Sequence, residues 1–388
     1  MKTTSSNLIN LKDQQYSLDL NSEDDDYLWA KRAAYWEDKV NSNLSIQANQ
    51  KRRRKKPIVL ILSGHGVNLR VERGALSIQN GFTHYPQKRE TWLLFPGQSN
   101  LPERIVMLDG NGSLSFDVLT WLSNQQIPLV QINWQGEVIT VLGGNSHAAD
   151  ARLIEAQRTV IGSSEGLKIS LELIKQKIQG CQSTLSFFPE SLPRNRALEK
   201  LCNSLDELDR PIASIELLRL IEGRAALAYF NYWQQIPLQW KGIARRPIPD
   251  EWRFMGARES FLSGSNRNAT HPVNAMLNYV YSMLESQVRI AAVTEGLDLM
   301  LGFLHANRPS RVALVYDLME PLRPQADLLL LKFMTNHKFS LSDFILNENG
   351  GCRLHPQLAR NIATMTVEHS AIQKIVQGLV NDLQLAVK

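Results

Sequence analysis

GLDLMLGFLHANRPSRVALVYDLMEPLRPQAD, residues 296–327, carries His305, Asp317 and Glu320 in otherwise apolar sequence. Leu297, Met300, Leu301 and Leu304 recur at helical spacing. The pattern predicts a helix ending at or just before His305, which sets that side chain against the core. Val312, Leu314, Val315, Leu318 and Met319 surround Asp317, and three-residue spacing puts Asp317 and Glu320 on one face of a helical turn. Two carboxylates in such surroundings need a cation, a shared proton or hydrogen bonds to replace the water they lose. Spacing alone leaves simpler roles open. His305 can be a satisfied core histidine, Asp317 a helix cap, and Glu320 a helix end before Pro321.

Upstream, IASIELLRLIEGRAALAYFNYW (212–233) places Ile215, Leu218, Glu222, Ala225 and Tyr229 on one helical stripe. A carboxylate therefore stands where the period calls for a core residue. Glu222 then either joins the other internal acids or forms a structural ion pair, with Arg224 as a candidate partner. One imidazole with carboxylates suits magnesium or manganese. Cys181, Cys202 and Cys352 are odd in number and widely spaced, offer no zinc-like cluster, and argue for free thiols in a reducing compartment.

Glu222 in LIEGRAALAYF, Asn274 and Asn278 in HPVNAMLNYVYSML, His305 in GLDLMLGFLHA, and Asp317 and Glu320 in YDLMEPLRPQAD follow one another in this order. With these motifs the chain resembles the CRISPR-associated integrase family, the metal-dependent endonuclease that installs new spacers. The resemblance is strongest over residues 211–332 and looser over about 57–210. It implies that Glu222, His305 and Glu320 bind magnesium or manganese and that Asp317 supports the same site. It further implies a homodimer, a small ferredoxin-fold partner subunit, and double-stranded DNA with 3′ single-stranded ends as substrate. With a 3′ hydroxyl as nucleophile the reaction is strand transfer; with water it is nicking. A stand-alone or mobile-element integrase and an inactive DNA-bridging scaffold are the alternatives. The family's usual basic, proline-rich run before the asparagine motif reads GARESFLSGSNRNATHPVN here.

Arg245, Arg246, Arg253, Arg258 and Arg267 lie near Trp240, Trp252 and Phe254. Cations for phosphates and rings for unpaired bases suit a DNA path, although an ordinary amphipathic surface has the same composition. Asn274 and Asn278 join this DNA-binding set through the resemblance. The formal charge of +5 permits a polyanionic partner without requiring one.

The expected fold class is α+β: a small amino-terminal β-rich domain, then a larger all-helical catalytic domain, with an amino-terminal helical extension. Residues 1–56 hold the extension. Residues 1 to about 20 are polar and expected to be mobile; Trp29, Ala33, Trp36 and Val40 form a helical stripe, and KRRRKK (51–56) is a basic block, read as a solvated linker or a phosphate-neutralising patch. Residues 57–144 form the β-rich domain. Val67, Leu69 and Val71 alternate, as do Leu76 and Ile78, around a turn at Glu72, Arg73 and Gly74. TWLLF, RIVML, LVQIN and EVITVL add strands; Gly110, Asn111 and Gly112 are read as a turn before a short helix with Val118, Trp121 and Leu122. Residues 145–165 are linker and helix start, and 166–388 the helical domain, where Lys175 and Lys177 fall off the apolar stripe of LKISLELIKQKIQ. Apolar runs are too short to span a membrane and the amino terminus lacks a signal core, so the expected location is cytoplasmic.

Overall fold

The computed structural model describes residues 9–11, 14–16, 59–82, 89–133, 137–142, 150–256, 269–305, 312–348 and 350–386. Most of the amino-terminal extension, including its expected helix and the KRRRKK block, lies outside the described residues. Within it, β1 (Ile9–Leu11) and β2 (Gln14–Tyr16) pair antiparallel, where the polar composition predicts no structure.

The β-rich part is a six-stranded mixed sheet built from β3 (Val59–Glu72), β4 (Ala75–Gln79), β5 (Thr91–Leu94), β6 (Arg104–Leu114), β7 (Leu129–Ile132) and β8 (Val138–Leu142), in spatial order β5-β4-β3-β6-β7-β8. The expected hairpin is present: Val71 pairs with Leu76 and Glu72 with Ala75. Arg73 (φ 51°) and Gly74 (φ 78°) both take the left-handed conformation that a tight turn between twisted strands requires. The parallel partner of β3 is β6. Here the sequence reading needs correction, because Gly110–Gly112 is not a turn: β6 runs through it to Leu114. A Cβ on Gly112 would lie 1.8 Å from the Val67 carbonyl oxygen, so glycine serves close approach of two backbones. The short helix α1 (Phe116–Asn124) follows and returns the chain to β7.

Alternation along the strands divides the sheet between two cores. Ile105 and Leu129 face α1, with Leu62, Leu69, Ile78, Trp121 and Leu122. Val106, Leu108, Val130 and Ile132 face the helices. That second core is the larger one, formed among α2 (Ala151–Val160), α3 (Ser164–Leu185), α4 (Leu192–Leu208), α5 (Ile215–Trp233), α6 (Pro272–Thr294), α7 (Ala313–Met319), α8 (Arg323–Asn336), α9 (Pro356–Ala363) and α10 (His369–Ala386). Helix starts are chemically marked. Asp150 accepts hydrogen bonds from the Arg152 and Leu153 amides, and Ser163, Ser191 and Ser214 each accept one from the third residue beyond. Replacing Ser214 with alanine removes the cap of α5. The expected loss is about 1 kcal/mol in urea denaturation.

Two further differences from the sequence reading matter. The region after residue 166 is not all helical: β9 (Gln239–Trp240) pairs with β10 (Lys338–Phe339), and β11 (Phe344–Leu346) with β12 (Cys352–Leu354). The helix expected over Leu297–Leu304 is a series of turns instead. Gly296 has φ 83°, the Asp298 side chain accepts from the Met300 amide, and buried Gln157 bonds Asp298 N, Asp298 O and Leu301 O. Those backbone groups are satisfied from α2, and no helix is needed. Leu297 and Leu304 are buried, but Met300 is 52% exposed and Leu301 only partly buried, so the helical stripe was right at its two ends and wrong in conformation and in its middle.

Candidate active site

The turn segment delivers His305 to the Asp317 carboxylate of α7. Asp317 is fully buried, and its Oδ2 accepts hydrogen bonds from the amides of Phe303 (2.5 Å) and Leu304 (3.0 Å). Its Oδ1 lies 2.5 Å from His305 Nδ1. Facing a carboxylate oxygen, Nδ1 is the donor of this pair, and in the neutral imidazole the lone pair then falls on Nε2. Gly302 permits this packing, since a Cβ there would stand 2.8 Å from Asp317 Oδ2. From α5, Arg219 donates to the Leu304 carbonyl and fixes the same loop from the other side.

Glu320 follows at the end of α7, where Pro321 interrupts the regular helix and a short 3-10 turn leads into α8. Its side chain is 8% exposed and faces Arg323 Nε at 3.3 Å through Oε1. Its Oε2 lies 2.5 Å from Lys177 Nζ. Lys177 also pairs with Glu222 Oε1. Two acids separated by 98 positions therefore converge on one ammonium from α3. Burial pushes the Glu320 carboxyl upward, but Arg323 and Lys177 outweigh it and hold the group at about 2. Glu320 is ionised at neutral pH.

Behind this pair lies a small cavity of about 50 Å³ whose lining includes Lys177, Glu222, Tyr281, Arg323 and Asp327. Asp327 accepts from the hydroxyls of Tyr229 (3.1 Å) and Tyr281 (2.6 Å), and the Arg323 guanidinium lies 5.0 Å from the Tyr281 ring centroid. These groups brace α5, α6 and α8 around the acids.

Sequence reasoning missed Lys177, Arg323 and Asp327. Lys177 was placed off the buried stripe of α3, yet only 14% of its side chain is exposed. Its signal was present only in three dimensions, in the two carboxylates opposite. Arg323 and Asp327 lay inside the motif YDLMEPLRPQAD, where a cation three residues after Glu320 was visible as an i,i+3 neighbour. The suggested partner of Glu222 was also wrong: Arg224 is exposed and bonds Glu207 at 2.6 Å.

The donor set fits a hard divalent ion. Glu222 and Glu320 offer carboxylate oxygens, His305 offers Nε2, and buried Glu320 Oε2 receives no properly directed hydrogen bond despite its contact with Lys177. Among the described residues no three such groups already stand in a coordinating array. An ammonium holds the centre.

The expected DNA path divides. Arg245, Arg246 and Arg253 are exposed, with Arg253 paired to Asp250 at 2.9 Å; Arg258 and Arg267 lie outside the described residues. Of the rings interleaved with them, Phe254 is 47% exposed, whereas the two tryptophans are structural. Trp240 and Trp252 stack at 5.9 Å and pack on Phe344, and Trp252 is 2% exposed, which leaves it no face for a base. Asn274 is buried in the first turn of α6 and Asn278 is partly buried one turn on.

Comparison with known proteins places the chain in a family. The family model described as CRISPR associated protein Cas1 matches residues 60–367. A protein of Korarchaeum cryptofilum named CRISPR-associated endonuclease Cas1 is 28% identical over 293 residues, covering 73% of this chain and 79% of the relative. A similarly named protein of Archaeoglobus fulgidus is 27% identical over 328 residues, covering 80% and 87%. Among solved structures, a casposase bound to integration product aligns with TM-score 0.67 and 23% identity over 84% of this chain and 91% of that one. A Cas1 protein from Thermotoga maritima aligns with TM-score 0.64 and 17% identity over 84% and 97%. No described helix is long and apolar enough to cross a membrane. Because the family match runs from the first long strand of the mixed sheet through the helices of the larger core as far as α9, this chain belongs to the Cas1 family of CRISPR-associated proteins.

Proposed function

We propose that the chain is a metal-dependent DNA integrase and endonuclease that inserts short DNA fragments, spacers, into a CRISPR array. The observation that carries this reading is the meeting of Glu222 and Glu320 on one buried point, beside an imidazole whose tautomer is fixed by Asp317. Glu222, Glu320 and His305 Nε2 would hold magnesium or manganese, which when bound polarises the scissile phosphate and stabilises negative charge during in-line displacement. The chain's own residues prepare that role. Arg323 keeps Glu320 ionised, Asp317 presents the free nitrogen of His305, and Arg219 anchors the loop that carries it. His305 binds a metal only as neutral imidazole, through the lone pair on Nε2.

Exposed Arg245, Arg246 and Arg253 are proposed to neutralise DNA phosphates, with Arg258 and Arg267 on the same stretch, and binding that weakens steeply with salt would support this. Asn274 is buried and Asn278 half-buried, so neither is proposed as a direct phosphate contact. The relatives named endonuclease support nuclease chemistry, and the casposase structure, titled as bound to integration product, supports strand transfer. A solved Cas6-RT-Cas1–Cas2 complex, with TM-score 0.62, 16% identity and coverage of 86% of this chain and 36% of that one, supports a protein partner. A homodimer with a small ferredoxin-fold subunit, acting in the cytoplasm on double-stranded DNA with 3′ single-stranded ends, completes the proposal. In it, residues 57–144 serve assembly and 166–388 catalysis.

The deciding experiment is strand transfer of labelled 3′-hydroxyl DNA into a repeat-containing target. Joining is expected with Mg²⁺ or Mn²⁺ and loss to background after chelation. DNA binding without joining or cleavage under any metal condition would leave the scaffold reading.

A further inference from the structure

Lys177 occupies the point that a metal ligated by Glu222 and Glu320 would have to take. It comes from α3, outside the motifs that carry the family resemblance, and pairs with both acids while remaining largely shielded from solvent. A buried lysine without anions loses its charge readily. Here burial opposes the charge, but Glu320 and Glu222 together outweigh it and the group stays an ammonium. Arg323 faces Glu320 from the other side, and Glu320 and Glu222 in turn favour its charge. Around this cavity Glu222, Glu320 and Asp327 face Lys177 and Arg323, so most of the acids' charge is already answered before any divalent ion arrives. A divalent ion added beside an unmoved ammonium would place like charges within a few ångströms in a poorly solvated pocket, which is strongly repulsive.

We propose that Lys177 is the resident counter-cation of this site: its ammonium holds Glu222 and Glu320 together in the metal-free protein and is exchanged when a divalent ion takes the same two carboxylates. The inference rests on the reading of Glu222 and Glu320 as metal ligands. Lys177 is a positioning residue in this scheme. It keeps two mutually repelling acids converged, which an empty site would not do unaided, and it sets a threshold for metal entry.

The test uses the full chain without DNA. Calorimetric titration with Mn²⁺ is made on wild type, Lys177→Met and Lys177→Arg, and thermal unfolding is followed with and without metal. Removing the competing charge is expected to tighten Mn²⁺ binding about tenfold in Lys177→Met, while Lys177→Arg, still cationic, stays near wild type. Metal-free Lys177→Met is expected to melt roughly 5 °C lower or more, with Mn²⁺ recovering most of the difference and Lys177→Arg melting close to wild type. A merely structural lysine would lower the melting point and leave metal affinity unchanged or weakened, and that result overturns the proposal.

If Lys177→Met does not fold, wild type decides through amine-specific labelling read by mass spectrometry. Several-fold faster labelling of Lys177 with saturating Mn²⁺ supports exchange, and an unchanged rate overturns it. Wild-type protein that binds no Mn²⁺ overturns the metal reading of the site and this inference with it. Binding in wild type without tightening in Lys177→Met overturns the inference alone.

Discussion

Glu320→Gln is expected to reduce metal-dependent strand transfer roughly 1,000-fold or more, beyond the 10- to 100-fold that losing an outer-shell partner of a metal ligand costs. The substitution keeps shape and removes charge. Alanine is the poorer probe, because Lys177 and Arg323 would be left facing an empty space, and truncating one member of a buried ion cluster costs about 3–5 kcal/mol. Glutamine still accepts a hydrogen bond, so a stability loss toward the lower end, about 3 kcal/mol, is expected in urea denaturation, with cooperative unfolding retained. Acid titration provides a second check. The Glu320 carboxyl is held at about 2 in the folded protein against an ordinary value near 4.5. A depressed carboxylate contributes its stability in full above its unfolded value and loses it as pH falls toward the folded value. The stability gap between wild type and Glu320→Gln should therefore be constant above about pH 4.5 and shrink between there and about pH 2. A folded variant with wild-type joining activity would remove Glu320 from the site.

Asp317→Asn is expected to lower activity about 10- to 100-fold through the orientation of His305. In wild type Asp317 Oδ1 faces Nδ1 at 2.5 Å and Oδ2 takes the amides of Phe303 and Leu304. An asparagine has one acceptor oxygen and one donor nitrogen. The two backbone amides need the oxygen, so the NH₂ group is turned toward His305 and favours the tautomer protonated on Nε2. That tautomer has no lone pair to offer where it is needed. Asp317→Ala goes further, leaving two buried amides without acceptors at about 1–3 kcal/mol each. The discriminating measurement is the heteronuclear NMR of the His305 ring: Nδ1 protonated in wild type, Nε2 in Asp317→Asn. Unchanged tautomer and unchanged rate together would reduce Asp317 to a loop brace.

The sequence by itself determined much of the apolar interior and two of the acids buried in it, Asp317 and Glu320. Helical or alternating period located the hairpin at Arg73 and Gly74, the strands of the sheet, the stripe holding Glu222 and the burial of Asp317 and Glu320. Period reports burial, because burial is what selects apolar side chains. It does not report the conformation of a short apolar segment, so Leu297–Leu304 was read as a helix. Gln157, 141 positions from Asp298, supplies the hydrogen bonds that make turns as good a solution there. Nor does it distinguish a glycine that turns a chain from one that lets two strands touch, as at Gly112. Only the tertiary structure decided the partners. Lys177 looked like a solvated surface lysine until α3 was laid against α5 and the end of α7. Trp240 and Trp252 looked like nucleic-acid platforms until they were packed on Phe344. Ion pairs and ring contacts between distant segments depend on which helices become neighbours. That choice is made by the summed packing of the whole core, and local spacing does not contain it.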